Sequence, residues 1–239
     1  MNRGLLLSVL SCGLLLVAAG CGDDSGSGGS GGGTTTTTTG STTTTGTGNT
    51  TTSTTTGMST TTTSTGMMAA NCADYCATIE TNCSAVGQYP TAEACAEICP
   101  VFMQGDPGDT SMNTLECRVY HTGAAASMAD PHCVHAGPLG GGVDAGNGCG
   151  MQRCSSFCQI AIAVCDGNDV QWGTEADCMT DCMMFPDDVD YTTAETGGDT
   201  LACRMYHLSV AADAKNKGDA NGKALHCTHI PLDSGPCGG

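Results

Sequence analysis

The stretches CADYCATIETNC (Cys72–Cys83) and CSSFCQIAIAVC (Cys154–Cys165) decide how this chain folds. In each, the second and third cysteines follow the first at four and eleven residues, which places all three on one face of an α-helix. A further pair four residues apart comes next in both places, Cys95 with Cys99 and Cys178 with Cys182. Thr91 and Thr174 stand before these segments as N-caps, and Glu93, Glu175 and Asp177 bring acid to the first turn, where the helix dipole favours it. A third helix is expected over Leu115–His121 (LECRVYH) and Leu201–His207 (LACRMYH), with Ala124 to Ala126 continuing the first of them. Asn113 and Asp199 read as its caps, and Asn113 with Glu116 approximates a capping box. Period-two alternation is scarce, so the fold class is mainly α.

Working outward, sixteen cysteines lie between residues 72 and 239 and fall into two sets of eight. The first is Cys72, Cys76, Cys83, Cys95, Cys99, Cys117, Cys133 and Cys149; the second is Cys154, Cys158, Cys165, Cys178, Cys182, Cys203, Cys227 and Cys237. The first five positions agree in spacing to within one residue, which marks an internal duplication. The later gaps differ, as loop insertions allow. Tyr75 aligns with Phe157, Tyr89 with Trp172, Phe102 with Phe185, and HCVH (132–135) with HCTH (226–229). The expected architecture is therefore two tandem helix-rich modules, residues 72–150 and 151–239, each small enough to need covalent staples. Two antiparallel CxxxC helices accept two bridges, which suggests Cys72–Cys99 with Cys76–Cys95 and Cys154–Cys182 with Cys158–Cys178. Cys83 is then available to Cys117, Cys133 to Cys149, Cys165 to Cys203 and Cys227 to Cys237, although eight cysteines admit 105 pairings. The Gly-rich segment 137–150 reads as flexible enough to let the modules move independently.

Composition excludes some functions. The 239 residues carry 24 acidic side chains against 7 Lys plus Arg, a formal net charge of −17. Nucleic-acid binding needs clustered cations to neutralise phosphates, and a polybasic membrane contact needs the same. Neither is available. Eighteen cysteines in a chain with 4% aromatic residues point to a disulfide scaffold in an oxidising compartment.

The N-terminus reads as an address. Arg3 is a positive n-region, Leu5 to Val17 an apolar stretch, and Ala18, Ala19 and Gly20 are small residues before Cys21. This is a secretory signal rather than a membrane span. The ending LVAAGC (Leu16–Cys21) resembles the lipobox of bacterial lipoproteins of the Gram-negative type, with Ala18 where Leu is most usual. The resemblance implies a signal peptide over residues 1–20, cleavage before Cys21, and a diacylglycerol and a further acyl chain such as palmitate on that cysteine; several chains together anchor stably. It also implies a cell-envelope location, with Gly22 after the cysteine favouring the outer membrane, facing the periplasm or the cell surface. Residues 21–71 then form a disordered Thr/Ser/Gly tether with nothing to bury. At about 5–6 Å times the square root of residue number, it spans about 35–42 Å. The eight-cysteine repeat itself shows no resemblance to a characterised family.

All six histidines occupy matching positions, His121, His132 and His135 in one copy and His207, His226 and His229 in the other. Two readings are open. Each histidine packs beside a disulfide and hydrogen-bonds a backbone carbonyl, or each trio holds Cu or Zn, with nearby methionines such as Met179, Met183, Met184 and Met205 leaning toward copper. Arg118 and Arg204, one residue after the third-helix cysteine, are expected to pair with a carboxylate or a helix C-terminus. No HExxH, GxSxG, P-loop or CxxCH is present, and no nucleophile, base and orienter can be named together. The sequence therefore predicts a non-enzymatic lipoprotein, without a cofactor on the leading reading, whose two modules bind an envelope or extracellular protein or glycan. The alternative is a metal-binding lipoprotein.

Overall fold

The computed structural model describes residues 69–143, 148–150 and 152–238. The signal segment, the acylation position Cys21 and nearly all of the tether lie outside the described residues. Within them the chain forms eight α-helices and no β-strand: α1 (Cys72–Asn82), α2 (Ala92–Ile98), α3 (Leu115–Ala125), α4 (Ala129–Ala136), α5 (Arg153–Val164), α6 (Glu175–Cys182), α7 (Leu201–Asn216) and α8 (Ala220–Cys227). No helix among the described residues is long and apolar enough to cross a membrane.

Helix starts follow the capping chemistry. Asn71, Thr91, Thr114, Thr174 and Thr200 each accept a hydrogen bond from the backbone N–H three residues on, satisfying a donor that the helix leaves orphaned. The caps of α3 and α7 are thus Thr114 and Thr200, one residue after the expected Asn113 and Asp199. Both displaced residues are used elsewhere. The Asn113 amide donates to Gln159 and its carbonyl accepts from the Ser156 hydroxyl, while Asp199 accepts from Arg204.

Eight disulfides staple the described residues. Cys72–Cys99 and Cys76–Cys95 join α1 to the end of α2, and Cys154–Cys182 and Cys158–Cys178 join α5 to α6 in the same way. The remaining four differ from the sequence expectation. Cys83 bonds Cys133 rather than Cys117, and Cys117 bonds Cys149; Cys165 bonds Cys227 rather than Cys203, and Cys203 bonds Cys237. The cause is a fourth helix in each copy. α4 and α8 fold back along α3 and α7, carrying Cys133 and Cys227 to the ends of α1 and α5. The third-helix cysteine then faces the returning tail. So many disulfides place the domain outside a reducing cytoplasm.

Each copy has the same aromatic centre. The Tyr75 ring meets Tyr89 and Phe102 edge-on, with centroids 6.3 Å apart in both cases. Phe157 meets Trp172 at 6.1 Å and Phe185 at 5.9 Å, also edge-on. Where the first copy has tyrosine, its buried hydroxyl donates to the Ala136 carbonyl at 2.7 Å, tying α1 to the end of α4.

The two copies share one hydrophobic core instead of moving as separate beads. α2 lies along α7, and α5 also reaches α2. The Thr91 hydroxyl donates to the Asp213 carboxylate, the Gln88 amide donates to the Tyr191 carbonyl at 3.1 Å, and Thr193 N–H donates to the Gly87 carbonyl at 2.8 Å. Burying these polar groups in pairs is what permits an interface with few large aliphatic residues.

One turn exposes the duplication in its backbone. Two residues before each third-helix cap, the carbonyls of Met112 and Gly198 accept from Thr114 and Thr200 N–H, at 2.9 Å in both copies. Both residues are left-handed, Met112 at φ 79 and Gly198 at φ 90. A Cβ on Gly198 would meet nothing within 4 Å, so a side chain there costs only the backbone conformation. Gly198→Met is expected to destabilise by about 1–2 kcal/mol. Met112→Gly is expected to gain up to about 1 kcal/mol, because relief of strain outweighs the glycine's added unfolded-state freedom. Denaturant titration of both variants measures this, and equal stability of Gly198→Met and the parent chain would show that the turn carries no such cost.

Candidate functional site

The histidines converge. His121 sits on α3 four residues after Cys117, and α4 brings His132 and His135 against it on adjacent turns. His207 sits on α7 four residues after Cys203, with His226 on α8 and His229 just past its end. In each trio one ring nitrogen per histidine can be chosen so that all lie within 4.8 Å of one another. The duplication thus builds the same cluster twice, from a helix and the helix that folds back on it.

The nitrogens facing inward are known in detail. His121 Nδ1 lies 2.9 Å from His132 Nδ1. His207 Nδ1 lies 3.0 Å from His226 Nδ1 and 3.2 Å from His229 Nδ1. On the far side of its ring, His121 Nε2 is 3.2 Å from the Thr110 carbonyl. A carbonyl only accepts, so Nε2 carries the proton and Nδ1 presents a lone pair to the cluster. His207 differs here, since its Nε2 is buried without a hydrogen-bond partner on the far side of the ring.

Burial sets the charge state. It is the largest influence on His121 and His207 and brings both down to about 4, with the partner histidines pushing the same way and the backbone carbonyl opposing. His226 is lowered by burial and by His229, and His229 by burial. At neutral pH His121, His207, His226 and His229 are therefore neutral imidazoles. The sign of the stability effect follows. In the unfolded chain a histidine titrates near 6.5, so between about 6.5 and 4 the unfolded state binds more protons than the folded one. Stability is expected to be fully present above pH 6.5 and to fall as pH drops through that window. The groups facing His121 are His132 and His135 from α4, the Thr110 carbonyl, the Tyr120 ring and the Cys117–Cys149 bridge, and none is a carboxylate that would hold the charged form. Denaturation midpoints measured in chelator from pH 7.5 to 4 check this. A midpoint that does not move between pH 6.5 and 4.5 would contradict it.

The bridges Cys117–Cys149 and Cys203–Cys237 also lie beside His121 and His207. As disulfides their sulfurs offer no thiolate, so the donors in each cluster are imidazoles alone.

The two arginines at matching positions of the repeat are structural and fully buried. Arg118 donates to the carbonyls of Thr114, Gly137 and Pro138 at 3.2–3.3 Å and stacks over Phe102 at 3.7 Å. Of the two expected partners, a carboxylate or a helix C-terminus, Arg118 takes the second, since Gly137 is the C-cap of α4. Arg204 does take a carboxylate, Asp199, at 2.8 Å, together with the carbonyls of Thr200 and Leu232, and stacks over Phe185 at 4.0 Å. The remaining cations of the described residues are also engaged. Arg153 pairs with Asp187, Lys215 with Glu97 and Asp166, Lys217 with Asp213, and Lys223 with Asp166 and Asp169. The acidic run Asp187, Asp188 and Asp190 is thus partly tied down, with Asp190 accepting from Val143 N–H.

Sequence reasoning missed α4 and α8 as helices, and with them the way each trio closes. α4 contains Pro131 and a non-helical residue at Asp130, and α8 contains Gly222, all of which weaken the periodic signal.

The recesses on this surface are small. One of about 220 Å³ lies between α1 and α2, lined by Ile79, Gly87, Tyr89 and Pro90 among others; further ones of about 200 and 120 Å³ lie near Ser234 and Trp172. All are below the roughly 300–1,000 Å³ of ordinary small-molecule sites.

The family model of the BfoA family C-terminal domain matches residues 36–151. That span takes in the later part of the Thr-rich stretch and the first copy, and it stops where the second copy begins. The first copy is therefore similar to a known family, contrary to the expectation that the repeat resembles none. No curated protein and no solved structure matches the chain.

Proposed function

We propose that this chain is a non-enzymatic cell-envelope lipoprotein. In this reading Cys21 carries the lipid, residues 22–71 form a tether, and the duplicated domain is held out for binding to a protein or glycan of the envelope or cell exterior. The observation that carries the binding reading is the surface itself. It is one disulfide-braced body whose cations, among the described residues, are buried or already paired. The chain's net charge of −17 suits a basic or hydroxyl-rich macromolecule as the partner. The family match supports the tether and first copy as one unit, since it runs through both.

Cross-linking of the full chain in envelope membranes tests the proposal. A discrete partner is expected with the oxidised chain and is lost after reduction. Recovery of none under either condition, or turnover in a broad hydrolase screen, would count against it. Cys21→Ser separates the anchor from the binding step, because it is expected to move the chain to the soluble fraction and abolish palmitate labelling while leaving partner capture intact.

A further inference from the structure

We propose that each copy binds one transition-metal ion of the copper or zinc class, through His121, His132 and His135 in the first and His207, His226 and His229 in the second. The inference goes beyond the binding role above and does not depend on it.

Three observations carry it. The first is convergence. Ligands at 2.0–2.1 Å on a tetrahedral ion stand about 3.4 Å apart. In the second trio the Nδ1 atoms of His226 and His229 stand 3.0 and 3.2 Å from His207 Nδ1, close to that spacing, and a nitrogen of each histidine lies within 4.8 Å of the others. The second is orientation. A ligating histidine usually donates its other N–H to a carbonyl or carboxylate, which fixes the tautomer. His121 Nε2 donates in this way to the Thr110 carbonyl, leaving the Nδ1 lone pair directed at the cluster. The third is repetition. Two copies whose later loops differ in length bring the same three histidines together, with a nitrogen of each within 4.8 Å of the others in both.

The donor set selects the metal. Imidazoles alone, without carboxylate or thiolate, suit copper, zinc or nickel and disfavour calcium and magnesium, which need oxygen. Among these, copper stands highest in intrinsic affinity. Three protein ligands leave a fourth position for water or an outside ligand. His132, His226 and His229 are only half-buried, which gives an ion a route from solvent.

The test uses the full chain, oxidised, without a histidine tag and stripped with chelator. It is dialysed against Zn²⁺ or Cu²⁺ and analysed for bound metal, with Co²⁺ as the spectroscopic probe. One ion per copy is expected, with strong visible Co²⁺ bands of a low-coordinate site. H226Q is expected to halve the stoichiometry, and H132Q with H226Q to abolish it. These positions are half-exposed, and circular dichroism with a free-thiol assay verifies that the variants fold. Should a variant fail to fold, metal-dependent protection of the parent chain's histidines from diethyl pyrocarbonate decides instead. Substoichiometric metal, full stoichiometry in the double variant, or histidines that modify equally fast with and without metal would each overturn the proposal.

Discussion

Replacing Arg118 with Met is expected to destabilise the folded domain by about 2–4 kcal/mol. Methionine fills much of the same volume, so the loss is not chiefly a cavity. It comes from the carbonyls of Thr114, Gly137 and Pro138, which the guanidinium satisfies from its buried position. An orphaned buried acceptor costs about 1–3 kcal/mol, and this falls on Pro138, because the Thr114 and Gly137 carbonyls each keep a backbone donor, the N–H of Arg118 and that of Gly140. Loss of the stacking over Phe102 adds up to about 2 kcal/mol. Against these stands the relief of no longer burying a cation, which burial already disfavours enough to lower the Arg118 pKa. Lysine is no rescue, because one ammonium cannot reproduce a planar fork aimed at three carbonyls. Arg204→Met is expected to cost about 1 kcal/mol less, since Asp199 is half-exposed and regains water when its partner goes. Guanidinium titration gives the magnitudes. Limited proteolysis adds a local readout, because Gly137 and Pro138 begin the segment that Arg118 holds down and cleavage there should accelerate first. A loss under about 1 kcal/mol in Arg118→Met would show that solvent replaces the guanidinium, and that these carbonyls are not effectively buried.

The same arginines show where sequence reasoning succeeds and where it stops. Their equivalence, and that of the aromatic centres around Tyr75 and Phe157, was visible because the duplication prints each environment twice. The first four bridges were legible for a local reason: two cysteines four apart on each of two neighbouring antiparallel helices leave little choice. The other four were not. Cys83 and Cys117 are both ends looking for a partner, and the choice between them and Cys133 or Cys149 depends on whether the chain after α3 runs away or folds back. It folds back as α4, a helix hidden by Pro131 and Asp130. The histidine trios were legible as recurring residues but not as clusters, since only that fold-back brings His132 and His135 to His121. Packing of the copies was least legible. It rests on polar pairs such as Gln88 with the Tyr191 carbonyl, whose partners lie over a hundred residues away and leave no periodic mark.

Removing the Cys165–Cys227 bridge, by changing both cysteines to alanine, is expected to cost about 4 kcal/mol. The bridge spans 62 residues, the longest separation of the eight, and joins the end of α5 to the end of α8. Loop-closure entropy for a span of that size is worth about 4.3 kcal/mol at 25 °C, against about 3.3 kcal/mol for the 20-residue Cys158–Cys178 link. The two double variants should therefore differ by about 1 kcal/mol, with the longer span costing more. The local consequence is sharper than the global one. Cys227 lies between His226 and His229, and the bridge fixes the end of α8 that presents both to His207. Its loss should weaken the second trio while leaving the first intact, so that metal binding falls by half together with the stability. A thiol count on the same variant discriminates the connectivity. With Cys203 bonded to Cys237, the double variant has no free thiol in its second copy. Had Cys165 been bonded to Cys203 and Cys227 to Cys237, the same two changes would leave both remaining cysteines reduced, or force them into a new bridge only after refolding. An alkylation assay on freshly oxidised protein that labels Cys203 and Cys237 would therefore overturn the pairing, and with it the fold-back of α8 that closes the histidine cluster.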